Sequence, residues 1–182
     1  TFRQITEGVI KEDLGMLHKD ESTMRRKREE LKNSRRKEMI GFRKIDPEVA
    51  MEKNTWFHLG RNSCEEILYC LRRIADPCEE HVDNNFVPLS KEQVKEYIPL
   101  RDTVLFLLRR TGKILQTDSY GEVDDVRREA EELKDCLEKA REAQMQRMQS
   151  SKENITVAYL YLNLLQETRE LTSSLRHLLR AS

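Results

Sequence analysis

The residues best suited to chemistry form one run, Glu79-Glu80-His81-Val82-Asp83-Asn84-Asn85. Glu79 and Asp83 are four positions apart, so on a helix both carboxylates share a face and can reach one cation. Glu131 and Asp135 repeat that spacing. Carboxylate pairs of this kind build metal sites in bundle cores when partners face them from other helices. A chain with 33 acidic residues, ten of them Asp, contains about two such pairs by chance. The spacing alone therefore does not separate a site from a solvated face. His81 suits a metal ligand, a pH-sensitive group, or an N–H donor tying a helix end to a neighbouring carbonyl or carboxylate. Asn84 and Asn85 suit a helix terminus, because Asn tolerates the left-handed conformation.

The second constellation is basic: RRKREELKNSRRK, with Arg25, Arg26, Lys27, Arg28, Lys32, Arg35, Arg36 and Lys37. One reading is a solvated helix face braced by pairs such as Arg25 with Glu29. The other is contact with acidic lipid headgroups or an acidic partner. No nucleophile elbow, Walker-type glycine loop, zinc-protease HExxH or dinucleotide fingerprint occurs. Six scattered glycines cannot build a phosphate-cradling loop. An oxidase-type carboxylate bundle would need paired Glu-x-x-His motifs, and the chain has none. The sequence reads as non-enzymatic.

Composition narrows the class. The 182 residues suit one domain of 1–182 with a real core. They are 36% charged and 6% aromatic, which fits long helices with wet outer faces better than a sheet. With 33 basic and 33 acidic residues, nothing global attracts nucleic acid, and none is expected as a partner. Cys64, Cys70, Cys78 and Cys136 show no zinc spacing. Cys64, Cys78 and Cys136 fall among apolar helix positions, as reduced thiols in a reducing compartment do. The chain starts at Thr1 rather than Met, as a segment of a longer protein would.

The elements that position these residues read as helices. One long helix is expected from about Ile5 to Lys44, broken near Gly15, with Leu17, Met24, Leu31 and Ile45 in one heptad register and Phe42 beside them. Asp46-Pro47-Glu48 starts a second helix with an N-cap, a first-position Pro and a first-turn acid. Its apolar stripe is Phe57, Cys64, Leu68, Leu71, Ala75, Cys78 and Val82, and Pro77 should kink or end it. Ser90 to Gln93 is a capping box for a third helix that ends near Gly112 to Gln116, and Ser119 with Glu122 is a second box. A fourth helix follows. A break near Gln149 to Asn154 is expected, because an unbroken helix from Glu122 to Arg180 would run about 87 Å. The last helix carries the stripe Val157, Leu160, Leu164, Thr168, Leu171, Leu175, Leu178 and a second stripe Ile155, Tyr159, Leu162, so neighbours are expected on two sides. Trp56 and Phe57 are expected to pack. The result is an all-α, antiparallel up-and-down bundle of four or five long helices.

The stretch from Asn62 to Tyr97 resembles the PhoU-like cytoplasmic domain of bacterial sodium/phosphate cotransporter-family proteins. The matching residues are Pro77, His81, Val82, Asn84, Asn85, Leu89 and Gln93. The closing helix, YLYLNLLQETRELTSSLRHLLR, is similar as well. The resemblance implies a regulatory or assembly domain on the cytoplasmic face of the bacterial inner membrane, attached to a membrane-embedded transporter domain of the same chain and working in phosphate transport. It also implies a divalent or iron metal cluster on acidic motifs, for which Glu79, His81, Asp83, Glu131 and Asp135 are the candidates. With a membrane domain before Thr1, the basic stretch would lie near the cytoplasmic leaflet. The alternative is a cytosolic helical scaffold that forms a homodimer through its first helix and has no phosphate role.

Overall fold

The computed structural model of the protein describes residues 1–42, 44, 46–117, 120–150 and 153–180, and the side chains of all of these except residues 20, 42, 52–54, 56 and 150. The expectations for Ile45, Trp56, Ser119 and the Phe42 side chain lie outside the described residues. Among the described residues six α-helices follow in order: α1 (Phe2–Lys11), α2 (Leu14–Phe42), α3 (Pro47–Asp83), α4 (Lys91–Thr117), α5 (Val123–Ser150) and α6 (Ile155–Leu178). One turn of 3₁₀ helix, Tyr120–Glu122, precedes α5, and the described residues contain no strand. The fold is the expected all-α bundle. Antiparallel cross-links fix its sense: Glu96 meets Arg147 and Arg110 meets Glu129 between α4 and α5, while Glu131 meets Arg176 between α5 and α6.

The central element is α6, which packs along α3 and α5 and also touches α4. Its first stripe is buried as expected from Val157 through Leu160, Leu164, Thr168 and Leu171 to Leu175. The second stripe is not: Ile155 is 66% and Tyr159 63% exposed. Ala158, Tyr161, Leu165 and Thr172 are buried instead. The additional buried face is thus rotated about one residue round the helix, to where Tyr161 meets Tyr97 and Glu96 of α4 and Arg169 and Arg176 reach Glu138 and Glu131 of α5, while solvent lies over Tyr159. Cys136 is also exposed rather than packed, whereas Cys70 and Cys78 are buried.

Of two breaks expected within helices, the first is present within three residues of Gly15 and the second does not end its helix. The first helix ends at Lys11, before Gly15, because Glu12 adopts φ 56° and turns the chain while the Asp13 carboxylate accepts the Met16 N–H at 3.0 Å. Pro77, expected to kink or end its helix, does not end it: α3 continues through it. Proline has no N–H for the carbonyl four residues back. That carbonyl, on Arg73, accepts the Asn163 side-chain amide at 3.0 Å, so α6 supplies the missing donor. The expected break between α5 and α6 is present, and Asn154 caps α6 through the Thr156 and Val157 N–H groups.

The corner between α1 and α2 is tight. A Cβ on Gly8 would lie 2.9 Å from both Cγ and Cδ2 of buried Leu17. Ala normally improves a helix by about 1 kcal/mol over Gly, but overpacking costs about 1–3 kcal/mol. Gly8→Ala should therefore lower stability by about 1 kcal/mol in chemical denaturation; a stabilised variant would show that Leu17 yields freely.

Beyond this body α2 and α3 continue together as an arm. Between Leu17 and Cys70 no described hydrophobic side chain is buried. The antiparallel register of the two helices is set by His18–Glu79 (3.0 Å) within the body and by Glu38–Arg61 (3.1 Å) out on the arm. The arm spans roughly 35 Å at 1.5 Å per residue. Phe57, expected in the core, lies on it and is half exposed.

Candidate functional site at the polar end of the bundle

The run singled out by the sequence forms the joint between α3 and α4. His81 is buried, and its Nε2 donates to the Val87 carbonyl at 2.8 Å. The ring meets Phe86 edge-on with centroids 5.5 Å apart. Asn84 returns its amide to the Glu80 carbonyl at 2.8 Å, and Asn85 takes the left-handed φ of 52° that turns the chain. The Ser90 hydroxyl accepts the Gln93 N–H at 3.1 Å while the Gln93 side chain accepts the Ser90 N–H at 2.9 Å, which is the reciprocal capping box expected there. His81 thus takes the donor role among those open to it.

Gln93 carries the joint further. Its side-chain nitrogen donates to Glu153 Oε1 at 2.9 Å and to Gln144 Oε1 at 3.4 Å. Gln144 donates to Glu153 Oε2 at 2.8 Å, and Arg147 donates to Gln144 Oε1. Arg147 also reaches Glu96 at 2.8 Å, where the Tyr161 hydroxyl donates at 2.7 Å. This network locks the α3–α4 joint to the α5–α6 joint. Burial pushes the Tyr161 phenol up and its bond to Glu96 adds to the shift, so it remains a neutral donor. For Arg147, burial works against the charge, but the bond and charge of Glu96, with Tyr161 and Glu92 nearby, together outweigh it. Tyr97, also pushed up by burial, bonds Thr168 at 2.8 Å one turn deeper.

The five candidate metal ligands are not brought together. Helix direction explains this: α3 reaches the polar end at its C-terminus, whereas Glu131 and Asp135 lie in the first half of α5, toward the opposite end. Glu79 is paired with His18. His81 spends its Nε2 on a carbonyl, and Asp83 and Asp135 are exposed. Glu131 pairs with Arg176 and with Lys134 at 3.5 Å. No group of three or more His, Cys, Asp or Glu among the described residues is placed to hold a metal ion. The expected metal cluster does not fit these residues.

In the closing helix, Glu167 is nearly buried and pairs with Arg73 at 2.7 Å. Burial raises its carboxyl above the ordinary range, and Arg73 only partly draws it back. Arg73 also lies over the Tyr69 ring, 4.6 Å from its centroid. Burial likewise pushes up the thiols of Cys64, Cys70 and Cys78, which opposes thiolate chemistry.

The basic stretch runs along α2 from the edge of the body, where neighbouring Met24 packs against the core, out onto the arm and away from the polar end. Arg25, Arg26, Lys27, Arg28, Lys32, Arg35, Arg36 and Lys37 are all exposed. Lys27 pairs with Glu30 at 2.7 Å and Lys32 with Glu29 at 2.9 Å, so Glu29 is engaged by Lys32 rather than by Arg25 as expected.

Glu96, Gln144, Arg147, Glu153 and Tyr161 were missed as site residues. A signal existed for Gln144, which continues the α5 stripe Leu133, Leu137, Ala140, and for Gln93, which begins the α4 stripe Tyr97, Leu100, Val104, Leu107. A glutamine on an apolar stripe needs a buried partner. No helix among the described residues is long and apolar enough to cross a membrane. Comparison of the chain with family models, with curated proteins and with solved structures finds no match.

Proposed function

We propose that the chain is a non-catalytic helical accessory domain that regulates phosphate transport by contact, in the manner of the PhoU-like domains that residues 77–93 resemble. The joint is the observation that supports this reading. Each residue of the matching pattern except Val82 has a defined job there: Pro77 leaves a carbonyl for Asn163, His81 ties down Val87, Asn84 and Asn85 end α3, Leu89 is buried, and Gln93 caps α4 and reaches Glu153. A joint that holds two helix pairs in register suits a domain that transmits a contact. On this reading the partner is a membrane-embedded transporter domain of the same chain, at the cytoplasmic face of the bacterial inner membrane. The second reading, a dimerising scaffold, draws on exposed Met39, Ile40, Phe57 and Leu59 of the arm.

The test is made on the gene product that carries this chain, in its own cells, with residues 25–62 replaced by a short Gly/Ser turn. Uptake of radiolabelled phosphate should change several-fold at unchanged protein abundance. Unaltered uptake at both low and high external phosphate would remove the regulatory reading. A mass that rises with concentration in sedimentation equilibrium would favour the scaffold.

A further inference from the structure

We infer that the cationic flank and the far end of the α2–α3 arm form a docking surface for an anionic lipid bilayer. The charge of the chain, though balanced overall, is sharply divided. Residues 25–62 hold twelve Lys and Arg against six Asp and Glu, so the remainder carries six more acids than bases. At 100° per residue, Arg25, Arg28, Lys32, Arg35 and Arg36 fall within a sector of about 100° on α2. That sector flanks the side, marked by Met24 and Leu31, that turns toward α3. Of the five, Arg25, Arg28, Arg35 and Arg36 form no ion pair among the described residues.

The stripe runs about 21 Å to Met39, which is 58% exposed, with Ile40 beside it. The opening turns of α3 add Val49 and Met51, the latter 77% exposed. Basic side chains meet phosphate headgroups while neighbouring apolar ones enter the acyl boundary; Met39 lies within the cation sector, and Ile40, Val49 and Met51 are exposed around the end of the arm that it leads to. A nucleic-acid backbone would use the cations and leave the four apolar side chains in water. A second copy laid along the same flank would set like charges against each other.

The inference rests on the reading of this chain as a contact module. Its test is cosedimentation of the 182-residue protein with vesicles of phosphatidylcholine alone and with added phosphatidylserine. Binding should be at least about tenfold stronger to the anionic vesicles and should fall as salt is raised. Arg25→Glu/Arg28→Glu/Arg35→Glu/Arg36→Glu should weaken it by about a hundredfold or more. The same four positions changed to Lys should retain it, and Met39→Ser/Met51→Ser should weaken it several-fold. All six positions are exposed, and circular dichroism is the check that the variants fold. Equal binding to both vesicles, or binding indifferent to charge reversal, would overturn the assignment. So would duplex RNA bound as tightly as the anionic vesicles and unaffected by the methionine changes. A change in phosphate uptake without vesicle binding would leave the regulatory reading standing and remove this one.

Discussion

Replacing Gln144 with leucine should destabilise the protein by about 2–4 kcal/mol, although the α5 stripe on which it sits is otherwise apolar. The side chain is fully buried, and its oxygen takes bonds from Gln93 and Arg147 while its nitrogen gives one to Glu153. Leucine would fill similar volume and gain from burial, on the order of 2 kcal/mol for the whole side chain. Against that, it withdraws partners from three groups at once. Gln93 is itself almost wholly buried, so its loss is not made good by water. Arg147 keeps Glu96, and Glu153 keeps Gln93, which is why the effect stays within a few kcal/mol. A Gln93→Leu/Gln144→Leu protein should cost less than the two single changes added together, because both singles break the bond between these two side chains and the double change breaks it once. Urea denaturation of all three variants measures this directly. A neutral or stabilising Gln144→Leu would show that the network is not needed to hold the two joints.

The helices themselves were legible because apolar spacing and capping chemistry are local. Asp46 accepts the Glu48 N–H at 2.9 Å, the Ser90–Gln93 box closes on itself, and Asn154 caps α6. Each of these signals lies within four residues of what it bonds. Features that depend on a distant segment were not legible. Pro77 reads as a break only while Asn163, eighty-six positions later, is out of view. His18 reads as isolated until α2 folds back beside Glu79. The candidate site divides in the same way. Its chain-local half, from His81 to Gln93, was visible as a terminator followed by a cap. The half supplied by Gln144, Arg147, Glu153 and Tyr161 needed two further helices to arrive. The acidic pairs failed as a site for the complementary reason: i,i+4 spacing places two carboxylates on one face but cannot say which helix, or which end of it, lies opposite.

Stability should be graded steeply along α2 and α3, and one pair of substitutions exposes the gradient. Leu164→Ala should cost about 3–5 kcal/mol, the upper part of the range for a buried leucine. It is fully buried on α6, in the same apolar core that α3 and α5 help to form, and the helices around it have no loop that can collapse into the void. Leu31→Ala, on the side of α2 that turns toward α3 within the arm, should cost less than about 1 kcal/mol, because the side chain is only partly covered and water fills what it leaves. The two leucines belong to long, well-formed helices of 29 and 24 residues, so helical propensity does not separate them; coverage does. The same difference predicts native-state hydrogen exchange. Amides of α3 from Cys70 onward should be protected nearly to the level of global unfolding, and those of the arm should exchange through local opening at much lower free energy. If arm amides were protected as strongly as those around Leu164, the arm would have to be covered by something beyond this chain, and a second copy would become the first occupant to test. An arm that opens independently of the body fits a contact element, since it can adapt to the surface it meets while the network at the far end keeps the bundle in register.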